Sequence, residues 1–249
     1  MFRFLFVSLF LIVCLTSSSN AFAKKVEEDV GAWGIVNLEI PVTEKLSITT
    51  EPQLRWTEKG THAGQQQWRN ALNYDITENT TLTVGHMWTA RHRNNEDLFT
   101  DTTSYENRLY QQVAYKHTVL KKLKVDHRFR LEERLLTDIE DPLWYARYRL
   151  RVRVPIKKKS TPAETVKTHA VVSSELLAHI NRVETVKAGL VQQRHFVGIN
   201  HAFNRHLNVD AGYQLVLGDR FEQGRSFVNH TVLVQFNIVT PPIKMWVKK

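Results

Sequence analysis

Cysteine is almost missing from this chain: its 249 residues hold one, Cys14, inside a leader marked for removal. The mature protein therefore has no disulfide framework, no thiolate metal site and no cysteine nucleophile. The apolar run Phe4–Leu15 has twelve residues, short of the roughly 20 that a membrane-spanning helix needs. No stretch after the leader carries a helical apolar period, and no low-complexity linker marks a domain boundary. G-x-S-x-G, H-E-x-x-H and a spaced Cys/His metal set are all missing, which removes the usual hydrolase and zinc-site starting points.

The leader is read as a secretory signal peptide over residues 1–23. Arg3 supplies the basic start, Phe4–Leu15 the apolar stretch, and Ala21-Phe22-Ala23 the A-x-A cleavage site. The expected mature start is Lys24. A lipoprotein reading through Cys14 fails on the bulky Val13 before it. Removing Arg3 leaves 33 basic against 25 acidic residues, a net charge of +8. That balance suits an anionic solute, anionic lipid or nucleic acid. Export and the lack of a nucleic-acid motif remove the last.

What is present is alternation. In Trp144–Ile156, WYARYRLRVRVPI, one face reads Trp144, Ala146, Tyr148, Leu150, Val152, Val154 and Ile156. The other reads Tyr145, Arg147, Arg149, Arg151 and Arg153. Successive side chains of a strand point to opposite faces, so this is a strand with an apolar side and a row of guanidiniums. The same pattern recurs from Trp33–Ile40, the expected first strand, to Phe227–Ile238, giving about eleven strands, most of ten to fourteen residues. Strands in soluble proteins average about 5–6 residues, whereas a bilayer demands about 9–11. Short links (Pro41–Lys45, Asp75–Thr80, His117–Leu123, Phe203–His206) alternate with longer ones (Glu58–Gly64, His92–Ser104, Thr137–Pro142, Asp219–Arg225). Outer-membrane barrels pair short periplasmic turns with longer outer loops in this way. The basic link Lys157–Lys167 breaks the rule.

Aromatic placement distinguishes a membrane barrel from a lipocalin-like soluble binding barrel. On the apolar face, Trp56, Trp68, Trp88, Tyr105 and Trp144 fall beside the longer loops, and Tyr74, Tyr115, Phe203 and Phe236 at the opposite ends. Two aromatic belts around an aliphatic band mark a bilayer-embedded barrel. From Tyr105 to Tyr115 a strand climbs about 33 Å, or about 25 Å along the normal when tilted near 40°, the height of an apolar belt.

The order WGIVNLEIPVTEKLSITTEPQLRW, ENRLYQQVAYKH, HRFRLEERLL, YARYRLRVRVPI, SSELLAH and VLVQFNI resembles domain of unknown function family 2490, from about Ala32 to Ile238. The resemblance implies a Gram-negative outer-membrane β-barrel and supplies no catalytic residues. The expectation is an all-β, antiparallel up-and-down transmembrane barrel over residues 32–238, preceded by a short segment 24–31 and followed by a tail 239–249. Single-chain bacterial barrels have even strand numbers, so twelve strands are favoured, with ten as the fallback.

The inward face of two neighbouring strands is expected to carry Arg128, Arg130 and Arg134 on one and Arg147, Arg149, Arg151 and Arg153 on the other. Glu106, Asp126 and Glu132 are the nearest expected counter-charges, with Glu51, Glu175 and Asp210 as further partners. A lumen packed by Arg–carboxylate networks and an anion-attracting pore or pocket both follow from this pattern. The alternative class is an outer-membrane enzyme acting on lipid or lipopolysaccharide. Its best residues, Ser173, Glu175 and His179, share one face, yet Ser173 and His179 lie about 20 Å apart along the strand. No catalytic, cofactor or metal set can be assigned. Asp138, Glu140 and Asp141 are hard oxygen donors on an outer loop, more simply read as solvated charge. Expected partners are outer-membrane lipid and lipopolysaccharide, the barrel-assembly machinery and an anionic solute.

Overall fold

The alternation becomes a ring of strands in a computed structural model of the chain, which describes residues 25–95, 100–120, 122–137, 139–156, 167–183, 186, 188–220 and 225–243. The expected signal peptide, Cys14 and the mature start at Lys24 lie outside the described residues. So do Glu96, Asp97, Asp138, most of the basic link at 157–166 and the end of the tail at 244–249.

Among the described residues eleven strands form: β1 (Lys25–Pro41), β2 (Leu46–Thr57), β3 (His62–Thr77), β4 (Thr80–Asn95), β5 (Thr100–Val119), β6 (Leu123–Leu136), β7 (Leu143–Pro155), β8 (Thr168–His179), β9 (Gly189–Ala202), β10 (Leu207–Arg220) and β11 (Arg225–Val239). Each pairs antiparallel with its sequence neighbour, and the ring closes between β1 and β11. Closure leaves no unpaired strand edge. A short 3-10 turn at Glu58–Gly60 sits in the β2–β3 link.

The eleven strands match the number counted along the sequence and fall between the favoured twelve and the fallback of ten. The correction concerns direction, because the barrel is not antiparallel throughout. β1 and β11 run parallel over a register from Lys25↔Arg225 to Glu39↔Val239. A parallel ladder pairs backbone N–H and C=O groups as fully as an antiparallel one, so an odd ring closes without orphaned groups. From Lys25 onward the segment expected to precede the barrel forms the first part of β1, paired with Arg225–Thr231. Its charged run Glu27, Glu28 and Asp29 dilutes the apolar alternation that marks a strand. Asp29 also has a local task, accepting the backbone N–H groups of Glu58 (3.1 Å) and Lys59 (3.3 Å).

The two faces invert the arrangement of a water-soluble protein. Apolar side chains stand on the outside, with Val232 59%, Val84 56% and Trp68 53% exposed. Charged ones are enclosed, with Glu106 and Glu132 each 1% exposed. Two glycine sites let large rings lie flat against the inner wall. A Cβ on Gly85 would fall 2.4 Å from the Tyr110 ring, and one on Gly198 2.6 Å from Phe196. Aromatic cover over a strand glycine restores packing that the missing side chain forfeits.

Candidate functional site: the charged interior

The interior divides by height. At the mouth carrying the longer loops, Leu143, Tyr145, Val183 and Val186 form a buried apolar cluster, flanked by Leu136, Ile139 and Val191. The β8–β9 link is tied there by Asn181, whose side chain accepts the Trp144 N–H (2.8 Å) and donates to the Pro142 carbonyl (2.9 Å).

Beneath this cap lies a continuous chain of ion pairs. Glu106 on β5 accepts from Arg108 (Nε to Oε1, 2.6 Å), from Arg134 and from Arg91. Arg108 reaches on to Glu132 of β6 (3.2 Å). Glu132 also accepts from Arg147 of β7 (2.5 Å) and, more distantly, Arg130 (3.4 Å). Arg147 then bonds both oxygens of Glu175 on β8 at 2.9 Å. Glu175 takes Arg128 as well, with Arg194 at 3.6 Å. Each carboxylate thus faces about three guanidiniums, and Arg108 and Arg147 act as forks between neighbouring carboxylates. Such charge-assisted bonds offset the desolvation of buried ions when the carboxylates are satisfied from several sides, as these are, although the Arg147 Nε is left without a partner. Aromatic faces take up further cationic charge: Arg130 lies over Tyr110 and Arg134 over Tyr145, each at 4.2 Å.

The lower half is emptier. A polar cavity of about 520 Å³ extends from Arg55, Arg130 and Arg147 to Glu39, Ser47, Asp75, Lys116 and Val239 beside the short turns. Three isolated pairs stand in its wall: Arg151–Asp210 (2.6 Å), Arg153–Asp126 (3.1 Å) and Arg69–Glu51 (2.6 Å). Its opposite side is apolar, built from Trp33 and Ile35 of β1, Phe196 of β9 and Leu233 of β11.

Of the seven arginines singled out in the sequence, Arg130, Arg134 and Arg147 join the upper chain, and Arg128 meets it through Glu175. Arg151 and Arg153 pair separately lower down. Arg149 has no hydrogen-bonded partner among the described residues, and its Nε is buried unpaired. Glu106 and Glu132 sit in the chain, whereas Asp126 lies apart near the short turns. Of the residues expected from the sequence to form girdles, Trp68, Trp88, Tyr105, Tyr74, Tyr115, Phe203 and Phe236 are exposed on the outer face, and Trp56 and Trp144 are half-buried there. Ser173, Glu175 and His179 are not brought together: Glu175 is held by arginines, and the His179 ring meets Tyr145 edge-on at 4.0 Å. Arg55 and Arg194, stacked on Trp33 at 3.8 and 5.4 Å, are interior cations that the two arginine rows overshadow in the sequence.

A closed β-barrel with ionised side chains inside and apolar ones outside is the class that these faces define. The chain belongs to the family described as "Protein of unknown function (DUF2490)", whose profile matches residues 30–226. No curated protein matches it.

Proposed function

We propose that this protein is an outer-membrane β-barrel, exported by a cleaved signal peptide, that is sealed against through-flow and holds a basic chamber open towards the periplasm. The single observation behind this reading is the pair Glu106 and Glu132, each 1% exposed and locked between arginines across the upper interior. In this reading the chain of ion pairs under the apolar cap is what blocks water at that height. The outward Val, Leu and Trp side chains support bilayer neighbours, since a contiguous apolar surface of this extent marks a membrane or protein contact. The short turns are assigned to the periplasm and the longer loops to the cell surface by the habit of such barrels. Lipid and lipopolysaccharide surround the barrel in this reading, and the assembly machinery inserts it.

Planar-bilayer recording tests the seal. The wild-type barrel should insert without sustained current, whereas the double substitution Glu106→Gln with Glu132→Gln should give flickering conductance as the unpaired arginines repel. Stable wild-type channels would overturn the reading.

A further inference from the structure

The chamber's wall is unbalanced in charge. Nine arginines and Lys116 line it, against six carboxylates: Glu39, Glu51, Asp75, Asp126, Glu175 and Asp210. Much of that excess gathers at one place on β6 and β7. Arg128 and Arg149 are directly opposed in register, and Arg151 follows Arg149 on the same face about 7 Å along the strand. Like charges directly across a strand pair destabilise it unless something negative lies between them.

The carboxylate beside this pair, Glu175, is shared by several guanidiniums rather than dedicated to it. Glu175 is the register partner of Arg149 on β8, yet its oxygens are taken by Arg147 and Arg128. Arg149 is left with no hydrogen bond or ion pair among the described residues, although it borders the cavity. Arg128 and Arg151 each give one terminal nitrogen to a carboxylate. Ser173, the register partner of Arg151, lines the same cavity and adds a hydroxyl.

We infer that Arg149, with Arg128, Arg151 and Ser173 around it, is the binding site for an oxyanion carrying at least two charged oxygens, a phosphate-type group. The inference rests on the chamber proposed above and names what it holds. Guanidiniums match phosphate oxygens in a planar, two-pronged geometry, and an anion here relieves the Arg128–Arg149 repulsion while it gains hydrogen bonds. The cavity's volume lies within the roughly 300–1,000 Å³ of small-molecule sites.

A soluble phosphate and a lipid headgroup share this chemistry, and calorimetric titration of the detergent-solubilised barrel separates the two. Pyrophosphate is the soluble probe. Phosphatidic acid in mixed micelles, against phosphatidylcholine micelles, is the lipid probe. Binding of either probe should weaken about tenfold or more in Arg149→Gln. Arg149→Lys, which keeps the charge and loses the fork, should fall between. Arg205→Gln, on an exposed turn, should bind like wild type. Binding should also weaken as salt rises. Arg149→Gln unpairs no carboxylate, so its heat-modifiable mobility on gels should match wild type and confirm the fold. Failure of both probes to bind, or equal binding by Arg149→Gln, would overturn the site while leaving a silent barrel intact. Wild-type conductance with binding preserved would remove the seal and keep the site.

Discussion

The individual side chains in the interior divide into those held from several sides and those held from none, and their substitutions should separate accordingly. Glu132 is buried among Arg108, Arg130 and Arg147. Removing its charge in Glu132→Gln takes one counter-ion from three guanidiniums, of which Arg108 keeps Glu106 and Arg147 keeps Glu175, at a cost of about 3 kcal/mol by the precedent of broken buried pairs. Arg149→Met removes a cation that no carboxylate bonds, so it should leave stability unchanged or raised. Urea-driven unfolding in micelles compares the two, and equal losses would contradict the pairing described here. The arginine rows were legible in the sequence because alternation repeats every second residue within a single strand. The identity of each partner was not. Arg151 meets Asp210, 59 positions away on β10, and such a contact depends on strand stagger and barrel width, which local pattern does not encode. All six carboxylates considered from the sequence do accept an arginine, but only the closed ring decides which.

At the level of strands, the seam between β1 and β11 separates this barrel from the even-numbered antiparallel plan. Val36 and Phe236 are register partners there, and both are exposed on the outer face. In a Cys14→Ser background, Val36→Cys with Phe236→Cys should form a disulfide on mild oxidation, because paired strands hold Cα atoms within the roughly 4.4–6.8 Å that a disulfide spans. Pairing Val36→Cys with Val232→Cys, four residues out of register, should not. The readout is gel mobility before and after reduction. Trp33–Ile40 was recognisable as a strand from its apolar positions, while Lys25–Gly31 was not, since three acidic side chains in a row hide the alternation. What makes that stretch a strand is its neighbour Arg225–Thr231, a long-range pairing rather than a local preference.

For the whole molecule, the decisive question is what touches the outer face. Leu109 points outward between Tyr105 and Tyr115 and is 51% exposed. If hydrocarbon surrounds it, Leu109→Arg should lower folding stability in bilayers by about 2–4 kcal/mol. If water surrounds it, the same substitution should be silent, and refolding yield into vesicles against urea measures the difference. Overall architecture was the most legible property of the sequence, because every strand repeats the same two-faced rule and errors in one do not propagate. Eleven strands were countable in the sequence, whereas the parallel seam that lets an odd ring close was not, because nothing in either terminal strand alone announces it.

That seam also governs how the ring is completed. It joins Lys25 to Arg225, so the first strand to be made must wait for the last before its outer ladder is satisfied. Until then the growing polypeptide is an open curved sheet with two bare edges, the form most prone to pairing with a stranger. Closure over so great a sequence separation is intrinsically slow. Under the outer-membrane reading proposed above, the meeting of these two edges is the step that an assembly catalyst would shield.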